Sequence, residues 1–328
     1  MCLVAFGVVY LVLDTPPPSD DKWISKIRKV DFLGAFCLIL AIVALLVGLD
    51  CGSNFGWSHK ITIISLSVTP ILFALFIYVE VKIATFPFAP GHIIFHPGLF
   101  ACYLSNFCSM GAYTAILFTA PLFFQAIQGA SAMASGMYLV PAMLAVIVAS
   151  LGGGWVVKKT GQYYWISVLS LGLALTASLP LILSVHFKST VGEIGGLVMV
   201  TLGGGSAVTT TLVGLIANAE SGDMAIAVAC SYLFRSLGGS MAVSLSSAAL
   251  QQVLRTQLAA RFPNGEEARE IEEKVRQSLD YIKKLSPQQA KQVIASYQMA
   301  LLGGYGPTTV LLGAGLLVSF WIKEKPLR

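Results

Sequence analysis

Long unbroken apolar runs, separated by short stretches rich in polar residues, proline or glycine, set the pattern of this chain. Eight of them, 32–49, 61–79, 99–124, 136–157, 165–185, 192–217, 225–250 and 299–322, are close to or above the ~20 residues that carry a helix across about 30 Å of hydrocarbon. Their apolar residues are continuous rather than alternating, and the runs far exceed the roughly ten residues of a membrane barrel strand, so the pattern predicts helices. The predicted fold class is an all-α polytopic membrane protein. A ninth apolar run, 2–13, holds 12 residues; at 1.5 Å per residue it reaches about 18 Å and cannot cross. It reads as the end of a longer helix, because neither the basic start nor the small-residue cleavage site of a signal peptide accompanies it.

Composition agrees and narrows the class. Of the 328 residues 56% are apolar and 11% charged, against about 25% charged in soluble domains. Fourteen of the 37 charges lie between Arg255 and Lys291, which leaves 23 for the other 291 positions. No water-facing surface can be built from so few, and a soluble enzyme and a disordered chain are both excluded. The net charge of +5 is scattered over loops, so no basic stripe is available to track a nucleic acid. The six cysteines show no paired metal-ligand spacing and fall mostly inside apolar runs, where they act as small packing residues.

Basic residues in short loops set the orientation. With the 15–31 segment on the cytoplasmic side, the inner loops collect ten basic residues, among them Lys26, Lys82, Lys158, Lys159 and Lys325, whereas the short outer loops hold only Lys60 and Lys188. The C-terminus is then cytoplasmic and the long 255–291 connection external. Within that connection Ile271, Val275, Leu279 and Ile282 recur at helical spacing among charges, which predicts an amphipathic helix from after Asn264 to near Leu285. It lies on the membrane surface, docks across the external mouth of the bundle or forms a solvated helical loop. Ser286 followed by Pro287 reads as the N-cap and first residue of the next helix.

Candidate functional residues are few. Asp31, Asp50, Glu80 and Glu193 all fall at span ends, so none is expected to act as a mid-membrane proton carrier. Arg235 lies well inside a run, where a guanidinium costs about 3 kcal/mol or more to insert. It is either a cavity or gating cation or a side chain snorkelling to the cytoplasmic interface. Tyr103, Asn106, Met110 and Tyr113 share one helical face, with Gln125 and Gln128 beyond it. That stripe suits a water-filled pathway or interhelical hydrogen bonds, and Tyr138 and the run Thr209, Thr210, Thr211 admit the same two readings. His92 and His96, four apart, lack an acid or cysteine to complete a metal site and read as an interfacial pair. No phosphate-binding loop or enzyme constellation is present, and no cofactor is expected.

The segment Pro121-Leu122-Phe123-Phe124-Gln125-Ala126-Ile127-Gln128-Gly129, then Ser135-Gly136 and Pro141, then Gly153-Gly154 leading to Lys158-Lys159-Thr160-Gly161-Gln162-Tyr163, resembles the C-terminal part of fungal major facilitator proteins of the 14-span drug:proton antiporter class. The 232–239 stretch and the 271–282 stretch are similar to the same family, in its branch of vacuolar basic amino acid and multidrug transporters. The resemblance covers nearly the whole chain. It implies a truncated helix stub (1–13), a cytoplasmic linker (14–31), two linker helices (32–82) and a C-terminal six-helix half (99–322). Residues 255–296 then form an external loop and 323–328 a cytoplasmic tail. It further implies proton-coupled transport, by alternating access, of a small organic solute such as a drug, toxin or basic amino acid across a plasma or vacuolar membrane, with a missing N-terminal half completing the cavity. Asn106, Tyr113, Tyr138 and Arg235 would line this half's wall, and Lys158, Lys159 and Gly161 would form a cytoplasmic gate in which Gln162 replaces a usually basic residue. The alternative is a non-transporting membrane protein, or a half that assembles with another chain.

Overall fold

The computed structural model describes residues 6–7, 31–84, 90–220, 222–262, 271, 273–275 and 278–326. The expected stub and linker therefore lie outside the described residues except for Phe6, Gly7 and Asp31. Among the described residues there is no strand. Helix α1, Phe32–Phe55, opens on Asp31, whose carboxylate accepts the Gly34 N–H at 2.9 Å. Helix α2, Lys60–Tyr78, continues through a π-helical turn, Val79–Ile83. Helix α3, Pro97–Leu122, is capped by the His96 imidazole and passes after Pro121 into a second π turn, Phe123–Ile127. Then come α4 (Ala132–Thr160), the bent pair α5 (Tyr164–Thr176) and α6 (Ser178–Phe187), α7 (Thr190–Asn218), α8 (Met224–Arg261) and α9 (Pro287–Ser319). Among the described residues eight spans are long and apolar enough to cross a bilayer, α5 and α6 together making one of them, and they match the eight apolar runs.

The protein is thus an all-α polytopic membrane protein. Helices α1 and α2 pack as a hairpin, with α1 resting on α8. In the remaining bundle α7 lies against α3, α4 and α5, while α8 lies against α3 and α9. The lipid-facing surfaces are apolar: Ile64 is 62% exposed, Leu151 72% and Val191 81%. Water could not solvate so continuous an apolar girdle, whereas acyl chains can. Small residues bring backbones together where helices cross. A Cβ on Gly111 would meet the Gly238 carbonyl oxygen at 2.8 Å, so α3 and α8 touch there main chain to main chain.

The last two long helices outrun the sequence expectation. α8 continues 11 residues past the apolar run, and α9 begins 12 residues before its run, at a capping box formed by Ser286 and Gln289. The added turns carry Gln, Arg and Lys and so fall below any apolar threshold. They are helical because they bury Leu254, Leu258, Val293 and Tyr297 against each other, with the Arg261 guanidinium donating to Ser296 Oγ at 2.8 Å. The connection between them folds back over this end of the bundle. Of the predicted amphipathic helix, Ile271 and 273–275 are helical and Leu279–Lys284 forms a 3₁₀ turn; its other residues lie outside the described set. Ile271, Val275 and Ile282 are buried in the same apolar cluster as Phe123, Leu197 and Leu301. The solvated-loop reading is therefore corrected: the apolar face docks. We call this the loop end of the bundle and the opposite one, where residues 320–326 lie, the tail end.

Candidate functional site

The middle of the bundle holds a cavity of about 320 Å³ bordered by Ser109, Met110 and Tyr113 of α3, Ser150 of α4, Gly205 of α7 and Arg235 of α8. Beside Gly204, which has open space where a side chain would stand, the cavity widens, while the neighbouring glycine brings α4 and α7 together. Gly205 admits the Val146 backbone, whose carbonyl oxygen would stand 2.7 Å from an added Cβ. A second, more open cavity of about 620 Å³ lies on the other side of Arg235, between α8, Met110 and Thr114 of α3 and Leu46 of α1. Arg235 thus faces both spaces. Its guanidinium lies 5.1 Å from the Tyr232 ring centroid, its Nε is buried without a hydrogen-bond partner, and among the described residues no carboxylate pairs with it. The cation is held beside an aromatic face and empty space.

The polar stripe of α3 divides. Met110 and Tyr113 face the cavity. Asn106, 1% exposed, is enclosed: its Nδ2 donates to Ser231 Oγ of α8 at 3.2 Å, and its Oδ1 accepts from Thr211 Oγ1 of α7 at 3.0 Å. Tyr103, fully buried, stacks on Phe234 with centroids 5.3 Å apart. The three threonines of α7 act alike. Successive residues point about 100° apart around a helix, so each reaches a different neighbour: Thr209 to Ser150 of α4 at 2.6 Å, Thr210 to Ser167 of α5 at 2.7 Å and Thr211 to Asn106 of α3. Tyr138 does not join the central cavity; it packs against Phe124 at 4.9 Å, at the loop end.

At the tail end α4 stops at Gly161, whose φ of +71° suits a residue without a Cβ. Lys158 and Lys159 in the preceding turn are exposed, and the Lys159 ammonium lies 5.3 Å from the Trp155 ring centroid. Tyr163, two residues beyond Gly161, is fully buried in a knot with the C-terminal residues. Its hydroxyl donates to the Lys323 carbonyl at 2.8 Å and accepts from the Lys325 N–H at 2.7 Å and from Asn218 Nδ2 at 3.1 Å, while its own N–H donates to the Glu324 carboxylate at 3.2 Å. Burial pushes the phenol above its ordinary pKa, the bonds from Lys325 and Asn218 opposing that shift. No local pattern announces this clasp, since Tyr163 is only the last residue of the gate-like segment.

The two candidate histidines part company. His96 caps α3, and His92 lies exposed with its Nε2 3.6 Å from an Asp223 carboxylate oxygen.

Glu193 is the residue the sequence reading passed over. It stands at the start of α7, as its position implied, but it is 0% exposed: Ser184 of α6 bonds one carboxylate oxygen and Tyr305 of α9 the other. Its partners lie 9 and 112 residues away, and the only local signal was an acid set in an otherwise uncharged run.

These features define a helical membrane protein with a largely apolar cavity, bordered by Arg235, Ser150 and Tyr113, between packed helices that meet at glycines. Over 305 residues the chain is 32% identical to the vacuolar membrane amino acid uptake transporter fnx2 of Schizosaccharomyces pombe, an alignment covering 92% of this chain and 51% of fnx2. It is 28% identical over 316 residues to the multidrug resistance protein fnx1 of the same yeast, covering 94% of this chain and 59% of fnx1. It is 27% identical over 314 residues to the aspyridones efflux protein of Neocamarosporium betae, covering 94% and 55%. The chain spans about half the length of the curated relatives it matches. A solved structure of a bacterial homologue of the human lysosomal transporter Spinster, inward-facing and occupied, superposes with a TM-score of 0.55 at 14% identity, covering 87% of this chain and 66% of that one, a likeness of fold. No protein-family model matches. The chain is a homologue of fungal transporters of the major facilitator type, which are not enzymes, and it has a major facilitator fold.

Proposed function

We propose that the chain forms the solute-binding half of a proton-coupled secondary transporter working by alternating access. Helices α1 and α2 (within 32–82) act as the linker pair and α3–α9 (99–322) as the six-helix half. A second six-helix half, in the same polypeptide or another, faces the cavity. The tail end, with Lys158, Lys159, Gly161 and the 323–328 tail, is cytoplasmic and gates the inner mouth; the loop end faces the other side. The membrane is that of a fungal cell, and the vacuolar membrane suits the likeness to fnx2.

The observation that carries the site assignment is Arg235, a cation without an anionic partner beside two cavities. Such a group recognises a carboxylate far better than it tolerates a second cation. Of the solutes considered, drug, toxin or basic amino acid, the amino acid fits: its carboxylate meets Arg235, and Tyr113 and Ser150 bound the same space. Asn106 supports this wall by tying α3 to α7 and α8, and Tyr138 supports it from the loop end.

The test is uptake of radiolabelled amino acids into vesicles carrying the protein, driven by an imposed pH gradient. Arg235→Ala is expected to reduce uptake at least tenfold, and a protonophore to abolish it. Unchanged uptake in the variant refutes the role of Arg235, and protonophore-insensitive uptake refutes proton coupling.

A further inference from the structure

We propose that the cavity beneath the docked connection is a second binding site, suited to an aromatic amino acid whose ring carries an N–H. The cavity holds about 560 Å³ between α3, α8, α9 and the connection, within the roughly 300–1,000 Å³ usual for small-molecule sites. It is separate from the Arg235 cavities. No bordering residue is shared with them, and Gln251 stands 16 residues beyond Arg235 on α8, about 24 Å along the helix.

Three features of the wall select the ligand. Phe118, Leu122, Leu250, Leu254 and Leu279 border the space and offer a flat ring an apolar bed. Asp280 and Lys283 border it at the solvent edge, their side chains 77% and 59% exposed. One turn of 3₁₀ helix separates them, so they project the same way, and Lys283 Nζ lies 2.7 Å from Asp280 Oδ1. An exposed pair of this kind adds little to stability, so both charges are free to exchange partners. Lys283 then takes a carboxylate and Asp280 an ammonium, the two ends of a zwitterion. The third feature is Gln251, whose Nε2 donates to Ser247 Oγ at 3.3 Å while its Oε1 is buried with no hydrogen-bond partner. A buried carbonyl oxygen without a donor is costly, and an N–H from the ligand supplies what it lacks.

The wall also says which donor. Asp280 is the only acid among the described residues bordering the cavity, and it is at the edge. A second cation laid against the leucines would therefore have no countercharge, so the donor to Gln251 is neutral. An indole joins a neutral N–H to a flat apolar body. The connection contributes Leu279 and the ion pair, and it is held in place by the burial of Ile271, Val275 and Ile282. Docking of its apolar face thus closes one side of a pocket as well as covering the bundle.

The proposal stands apart from the transporter reading, because its test is equilibrium binding. Tritiated tryptophan is titrated onto the purified chain in lipid nanodiscs, in the unmodified protein and in Arg235→Ala, which removes the cation of the central cavities. Saturable binding is expected in both. Competition is then measured with 3-benzothienylalanine, in which sulfur replaces the ring N–H, and with tryptamine, which lacks the carboxylate. Gln251→Leu is expected to weaken tryptophan about fivefold and to leave 3-benzothienylalanine unchanged. Lys283→Ala, an exposed substitution that does not threaten folding, is expected to weaken tryptophan about tenfold and to leave tryptamine unchanged. No saturable binding, or binding lost in Arg235→Ala, overturns the site, the latter by placing tryptophan in the central cavities. Equal weakening of both ligands in either variant overturns the assigned contact. If these signatures appear and gradient-driven uptake is absent, the transport reading fails and this site stands; uptake without them does the reverse.

Discussion

Arg235 and Glu193 are two ionisable side chains set into the same bundle under opposite arrangements. Arg235 stands between two cavities, lies against Tyr232 and has no anionic partner among the described residues. Glu193 is closed off completely, both oxygens occupied by hydroxyls from other helices. The first arrangement leaves binding capacity for something that enters; the second uses that capacity within the protein. An unpaired charge costs less where water or a solute can reach it than where neither can, so the cation belongs at the cavity and the acid needs its built-in donors.

The largest effect that could break this contrast is on stability. Glu193→Ala leaves the Tyr305 hydroxyl without an acceptor, leaves Ser184 only the Leu181 carbonyl and opens a hole, and a loss of about 3 kcal/mol is expected, seen as a clear drop in the thermal unfolding midpoint in detergent. Arg235→Ala, which strands no partner, is expected to leave that midpoint nearly unchanged. Equal drops would show that Arg235 is structural. A smaller effect sharpens the assignment of Asn106, which resembles Glu193 in being enclosed. Asn106→Ala removes two interhelical bonds at about 0.6 kcal/mol each, so unfolding shifts by about 1 kcal/mol while uptake per folded molecule changes little; a selective loss of uptake would return Asn106 to the cavity wall. The smallest effect concerns Tyr163, whose phenol is raised by burial. A raised acid favours the folded clasp below its unfolded pKa of about 10 and loses that contribution as pH rises through the folded value. Proteolytic release of the tail should therefore accelerate above about pH 10, and this pH dependence should vanish in Tyr163→Phe.

The spans were legible because a bilayer demands continuous apolar length, a property of neighbouring residues alone. The outer turns of α8 and α9 were not, since Gln251, Arg255 and Lys291 lower the local hydropathy while the burial of Leu258 and Val293 depends on the partner helix. The stripe from Tyr103 to Tyr113 was visible in its spacing, yet spacing does not say which part of a face meets a neighbour. Thr211 and Ser231, more than 100 residues away in sequence, enclose Asn106, whereas Tyr113 borders the cavity that opens beside Gly204. Glu193 does stand at a span end, but its full burial depends on Tyr305, 112 residues further on, and position along the chain carries no sign of that partner.

Helix α8 is a single uninterrupted rod of 38 residues, about 57 Å long at 1.5 Å per residue. Arg235 beside the central cavities and Arg261, bonded to Ser296 beneath the docked connection, lie 26 residues apart on it, about 39 Å. A rod of that length has the geometry of a lever: were it to tilt by a few degrees about its tight backbone contact with Phe107 at Gly238, its far end would be displaced by several ångströms. Rigidity alone would then link the cap over the loop end to the Arg235 cavity, with no chain of side-chain contacts needed between them.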